Sequence, residues 1–179
     1  MSGHNKWSKI KHKKAAGDAQ KSKLFSKHAA LIAMESRKAG GNLASPGLAA
    51  AIERAKKDSM PKDNIERAVA KGSGAGGEAL EEAVFEAFGP GGAAMIIVAV
   101  TDNINRTAPE IRHIFSKFGY ELGTPGSAMW AFKKTAGGYA PQNPLDLSDA
   151  DGEKLAELIE ALEEQDDVQD VYTTADSSE

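Results

Sequence analysis

The stretch "GHNKWSKIKHKK" at residues 3–14 places five lysines, two histidines and one tryptophan in twelve positions without a single acid. Lysine ammonium groups neutralise phosphates, and an indole face stacks on an exposed base, so the mixture suits RNA or single strands better than duplex grooves. Lys6, Lys9, Lys11, Lys13 and Lys14 are the phosphate candidates, Trp7 is the stacking candidate, and His12 sits between two lysines where it can join them. Lys21, Lys23 and Lys27 continue the run, giving eight lysines against one acid, Asp18, between Met1 and Lys27. Plainer readings stand beside these: a solvated helix face for the lysines, and a hydrophobic anchor for Trp7. The single sign of the charge favours a polyanion, because solvated faces ordinarily mix both signs.

His4 carries a weaker metal reading. If Met1 is removed, the free amine, two amides and the imidazole of His4 form the square-planar set that Cu(II) or Ni(II) prefers, but many unrelated N-termini share it. No metal or other cofactor is therefore assigned. His28 falls on an apolar helical face and reads as a packed histidine at the core edge. Asn105, Arg106 and Arg112 gather near the expected start of a later helix, where free backbone N–H groups favour anions, and form a secondary anion-binding candidate. Capping and salt bridging are the alternative for them. "EEQDDVQD" lacks the spaced oxygen ligands of a calcium loop. No paired carboxylates, nucleophile with a base, or His/Glu metal pair stands out, so a non-enzymatic protein is expected.

The charge divides by position. Residues 1–71 hold 16 Lys and Arg against 6 Asp and Glu, a net of +10; residues 72–179 hold 6 against 20, a net of −14 within a total of −4. Such asymmetry points to a polyanion partner for the first half and a different task for the second. Cysteine is absent, which excludes disulfides and cysteine-ligated zinc or iron–sulfur sites. The longest strongly apolar run, "AAMIIVAV" at 93–100, is 8 residues against the roughly 20 needed to cross a bilayer. No membrane partner is expected, and a cytoplasmic location is.

Three helices must carry the basic half. The first places Leu24, Phe25, His28, Leu31 and Ile32 on one face and stops at Gly40-Gly41. The second opens with Ser45 as N-cap and Pro46 at the first position, and buries Leu48, Ala51, Ile52 and Ala55. The third starts at Pro61, turns Ile65, Ala68 and Val69 inward and closes at Gly72. The glycine-rich run "KGSGAGGE" then reads as a linker; with no preceding strand and no terminal Gly-Lys-Ser/Thr it is not a phosphate loop.

Beyond it the period changes. Two strands around the turn Gly89-Pro90-Gly91-Gly92 are followed by a helix with a Thr107 to Glu110 capping box, a third strand in "AMWAF" at 128–132, a helix over "GEKLAELIEAL" and a fourth strand in "VQDVY". The expected class is α+β: a basic three-helix bundle over 1–72, a linker at 73–78, and an acidic four-stranded α/β sandwich over 79–179 with two helices on one face.

"GHNKWSKIKHKK", "MPKDNIERA", "GPGG", "TDNINRTAPEIRHIFSKFG" and "DDVQDVY", in this order, resemble the YebC/PmpR family, which includes the mitochondrial translational activator of cytochrome oxidase subunit one. The resemblance implies a cytosolic, non-enzymatic nucleic-acid-binding protein of the kind described as a DNA-binding transcriptional regulator, and for other members a ribosome-linked role in translating difficult sequences such as proline runs. The family's usual form carries a further α/β domain between "AMWAF" and the C-terminal helix. Here only a short stretch including "AGGYAPQNP" bridges the gap, so this resembles a short member without that inserted domain. Lysine grips phosphate without reading sequence, whereas a duplex reader groups Arg, Asn or Gln for base edges. An RNA- or ribosome-binding translation factor, with ribosomal RNA or tRNA favoured over duplex DNA, is thus preferred to a transcriptional regulator. A protein-interaction module built on the acidic half is the third reading.

Overall fold

The computed structural model of the chain describes residues 18–74, 76 and 79–176. Among these, 18–82 together with 100–103 form one compact unit, and 83–99 together with 104–176 form the other.

The first unit is built on three helices, α1 (Asp18–Lys38), α2 (Pro46–Lys57) and α3 (Lys62–Ser73). α1 ends where Gly40 and Gly41 adopt left-handed backbone and the Gly41 N–H bonds the Ser36 carbonyl at 2.9 Å. Pro46 opens α2 as expected, but the Ser45 side chain makes no capping bond. The turn before it is held instead by Asn42, whose Oδ1 accepts the Ala44 N–H at 3.0 Å. Ile32, Leu48, Ala51, Ala55, Met60, Ile65 and Ala68 form the core, with Phe25, Leu31, Ile52 and Val69 packed around it.

So many alanines let helices approach closely, and Gly72 shows how closely. It lies inside α3 rather than beyond its end, because a Cβ there would stand 2.2 Å from the Ala33 carbonyl oxygen of α1. The expected helix stop at Gly72 is therefore a contact point, and α3 continues to Ser73. Ser36, fully buried in α1, donates its hydroxyl to the Val69 carbonyl at 2.7 Å across the same contact.

The second unit carries all but the first two residues of β1 (Glu81–Phe88), all but the last two of β2 (Ala94–Thr101), and α4 (Ile104–Lys117), β3 (Phe132–Thr135), β4 (Gly138–Pro141), α5 (Asp149–Glu164) and β5 (Val168–Thr173). β2 is the centre of a three-stranded sheet ordered β1-β2-β5, and it runs antiparallel to β5 with Met95 opposite Thr173 and Ile97 opposite Val171. Its unbroken apolar sequence has a physical reason: both faces are covered. Met95 and Ile97 pack with Ile111 and Phe115 of α4 and Leu155, Leu158, Ile159 and Leu162 of α5. Ala94 and Ile96 meet Ala128, Ala131, Phe132, Tyr139 and Tyr172 on the opposite side. The Tyr139 and Tyr172 rings meet edge to face at 5.4 Å.

The α+β class and the two helices on one face are as expected; the strand count is not. "AMWAF" does not supply a fourth strand to the sheet. Met129–Ala131 is a 3-10 turn, and β3 begins only at Phe132, pairing with β4 in a separate two-stranded ladder. The Glu86 carboxylate takes the backbone donors of Gly126, Ala128 and Met129, and those of Ala131 and Phe132 bond the Ala128 and Met129 carbonyls within the turn, so these N–H groups are not available to a ladder. α4 also starts three residues earlier than expected. Thr107 is fully buried and its hydroxyl donates to Asp167 Oδ2 at 2.7 Å, so it does not cap the helix with Glu110.

Candidate nucleic-acid interface

The segment holding His4, Lys6, Trp7, Lys9, Lys11, His12, Lys13 and Lys14 lies outside the described residues. Its continuation is on α1. Lys21 is exposed, while Lys23 and Lys27 are half-buried and share one helix face at a spacing of four. Directly after them His28 is buried, with Nε2 2.6 Å from Oδ2 of Asp58, which closes α2. The expected core-edge histidine is thus a tie between α1 and the end of α2.

Elsewhere on this unit cations are partly neutralised locally. Lys38 pairs with Glu35 at 3.0 Å, Lys56 with Glu53 at 3.1 Å and Lys62 with Glu66 at 3.5 Å, all on neighbouring turns of one helix. Arg67 bonds the Asp63 carbonyl and the Asn64 side chain. By sequence the excess of basic over acidic residues is greatest at the beginning of the chain, where Asp18 is the single acid before Lys27.

The secondary anion candidate has a different outcome. Asn105, Arg106 and Arg112 all sit exposed on α4, with Asn105 and Arg112 seven residues apart on one face and Arg106 turned about 100° away. Arg106 donates to Asp167 Oδ2 at 3.0 Å, and Gln165 Nε2 reaches the same oxygen at 3.3 Å while also donating to Glu110 at 2.7 Å. Burial pushes the Asp167 carboxyl up, but hydrogen bonds from Thr107, Arg106 and Gln165 and the Arg106 charge outweigh it and hold the group below the usual carboxylate range. The first turn of α4 thus already holds an anion, supplied by the chain itself.

One arrangement had no sequence signal. Glu86 on β1 is buried and makes no ion pair among the described residues. Its Oε1 accepts the Gly126 N–H at 2.7 Å, and its Oε2 accepts those of Ala128 and Met129 at 2.8 and 2.7 Å. Burial raises the carboxyl's pKa, the three backbone donors lower it more, and the net position is below the ordinary value. A glutamate in an apolar strand does not announce partners forty residues away. Among the described residues no group of three His, Asp or Glu side chains is placed to hold a metal ion, and no helix is long and apolar enough to cross a membrane.

Fold and charge together define a two-unit α+β chain whose basic residues are concentrated in the first 71 positions of its sequence. The comparisons place it more closely. The family model for the TACO1/YebC N-terminal domain matches residues 5–75, and that for the second and third domains matches 80–137 and 134–175. A "Probable transcriptional regulatory protein" of Fervidobacterium nodosum is 37% identical over 237 positions, covering 98% of this chain and 94% of its own. One from Dictyoglomus thermophilum is 45% identical over 181 positions, covering all of this chain and 70% of its own. The crystal structure of a conserved hypothetical protein from Aquifex aeolicus superposes with a TM-score of 0.83 at 32% identity, over 96% of this chain and 97% of that one. The chain belongs to the TACO1/YebC family. It is a short member: an alignment of 237 positions exceeds its 179 residues, and the two matches to the second and third domains meet at 134–137, in the β3–β4 hairpin.

Proposed function

We propose that the chain is a non-enzymatic, cytoplasmic regulator of gene expression that binds nucleic acid through its basic helical half, and that the nucleic acid is RNA, met on the ribosome. The carrying observation is that all eight cations between Met1 and Lys27 are lysine. Lysine provides phosphate affinity without the planar fork that reads base edges, which suits a shaped RNA surface better than a duplex sequence. The relatives' names support nucleic acid and gene regulation in general, and they favour the second reading, a DNA-binding transcriptional regulator.

Sucrose gradients at low salt separate the two. The protein is expected to sediment with ribosomal particles, and structured ribosomal RNA is expected to displace it far better than duplex DNA. Replacing Lys11, Lys13 and Lys14 by Glu should lower the slope of log affinity against log salt by about 2 to 3 units, at about 0.7 to 0.9 per phosphate contact. Tight binding to one duplex, with other duplexes weaker by roughly a thousandfold or more, would establish the transcriptional reading instead. Absence of any nucleic-acid binding would leave the protein-interaction reading.

A further inference from the structure

Trp130 is the most exposed large apolar side chain among the described residues, with 67% of its surface in water. It is not a loose one. The indole Nε1 donates to the Ser127 carbonyl at 2.8 Å, which fixes the ring against its own turn. The backbone beneath is held from two sides. On one, the Glu86 carboxylate grips Gly126, Ala128 and Met129. On the other, the Gln142 side chain donates to the carbonyls of Trp130 at 2.9 Å and Phe132 at 3.1 Å, and the Gln142 N–H bonds the Ala131 carbonyl at 2.9 Å. A buried carboxylate without a cation is costly unless its donors are fixed, and here the segment it fixes presents a bare aromatic ring.

The residues that follow set the chemistry of the partner. The Lys133 and Lys134 side chains are exposed and make no hydrogen bond or ion pair among the described residues. They are two of only six cations in residues 72–179, which carry 20 acids. Along the chain Trp130 is followed by buried Ala131 and Phe132 and then by exposed Lys133, Lys134 and Thr135. A fixed aromatic face followed three and four residues later by cations without side-chain partners is a combination that takes an unstacked base and its neighbouring phosphates. Lys134 lies at 134–137, where the two matches to the family's second and third domains overlap.

We infer that Trp130, Lys133 and Lys134 form a second nucleic-acid contact, in the acidic unit, that stacks one unpaired base of single-stranded RNA on a ring preset by Glu86 and Gln142. This rests on the RNA reading above, and it is separable from it because the basic N-terminal segment supplies binding of its own.

The test uses the full chain with Trp7→Phe, so that Trp130 is the only tryptophan, and an oligouridine single strand as probe, with duplex RNA as control. Saturable quenching of Trp130 emission by the single strand, and little by the duplex, is the expected result. Trp130→Ala should weaken single-strand binding about 5- to 100-fold with the salt slope unchanged, and Trp130→Phe should recover most of the loss. Lys133→Gln with Lys134→Gln should lower the slope by about 1.4 units. The melting temperature of Trp130→Ala should stay close to that of the parent, since most of the ring is already in water. Unmoved Trp130 emission and unchanged affinity of Trp130→Ala, with oligouridine still bound, would overturn the contact and leave the RNA reading intact. Emission that responds to a protein partner but not to RNA would overturn it as well. Failure of every variant and the parent to bind RNA would overturn both.

Discussion

The two units hold their polar groups by different means. In the helical unit most charged contacts are between residues three or four apart on one helix, such as Lys38 with Glu35 and Lys56 with Glu53, and they are exposed. In the sheet unit the polar contacts that matter are distant in sequence, and all but the exposed Arg106–Asp167 pair are at least partly buried. Glu86 takes donors 40 to 43 residues away, Asp167 takes Thr107 and Arg106 across 60 and 61 residues, and the Ala94 N–H bonds Thr174 Oγ1 across 80. Local exposed pairs compete with water and contribute little, whereas a buried carboxylate that loses a partner leaves groups that water cannot reach. The helical unit can therefore vary its surface charge freely, while the sheet unit depends on a few polar residues.

The sharpest way to test that contrast is Glu86→Ala. Three backbone N–H groups would lose their acceptor, and a stability loss of about 3 to 5 kcal/mol is expected by urea denaturation. A loss below about 1 kcal/mol would show that apolar packing, not the carboxylate, holds the 126–129 turn.

Gly72→Ala probes the place where the helical unit is as demanding as the sheet unit. Helix propensity alone would reward alanine by up to about 1 kcal/mol. The clash with the Ala33 carbonyl is expected to reverse that sign and cost about 1 to 3 kcal/mol, read from the melting transition.

Acid should weaken the sheet unit through Glu86 and Asp167. Both carboxyls are held below their ordinary values in the folded chain, so the stability they contribute is complete above the usual carboxylate range and is lost as the pH falls through their lowered folded values. Near-ultraviolet signals of Tyr139 and Tyr172 followed from neutral to acid pH should show this limb, and Glu86→Gln with Asp167→Asn should flatten it. An unchanged limb in the double variant would assign acid sensitivity to other groups.

The smallest effect belongs to the helical surface. Lys56→Ala removes an exposed pair with Glu53 at 3.1 Å, and a change within about 0.5 kcal/mol is expected by thermal denaturation. A larger change would mean that surface pairs in this unit matter more than the contrast allows.

The helices were legible because their signal is local. Leu48, Ala51 and Ala55, or Leu155, Leu158, Ile159 and Leu162, recur at the period of an α-helix, and each set is buried as that period requires. The continuous apolar run from Ala94 likewise announced a strand covered on both faces. The lysine-rich beginning, the split of charge and the ordered motifs were also properties of the chain alone. They were enough to place it in its family.

Tertiary structure decided the rest. Residues 128–132 have the composition of a strand, yet the backbone donors of Ala128 and Met129 go to a glutamate on β1, and the segment turns and leaves Trp130 in water. Gly72 looks like a helix stop and is a spacer between helices. Thr107 looks like a cap and is a buried donor to Asp167, and Arg106 looks like an open anion ligand and already has one. Each of these outcomes turns on a partner 39 to 61 residues away. Local spacing carries no information about such a partner, because which side chain stands opposite is set only when the elements pack.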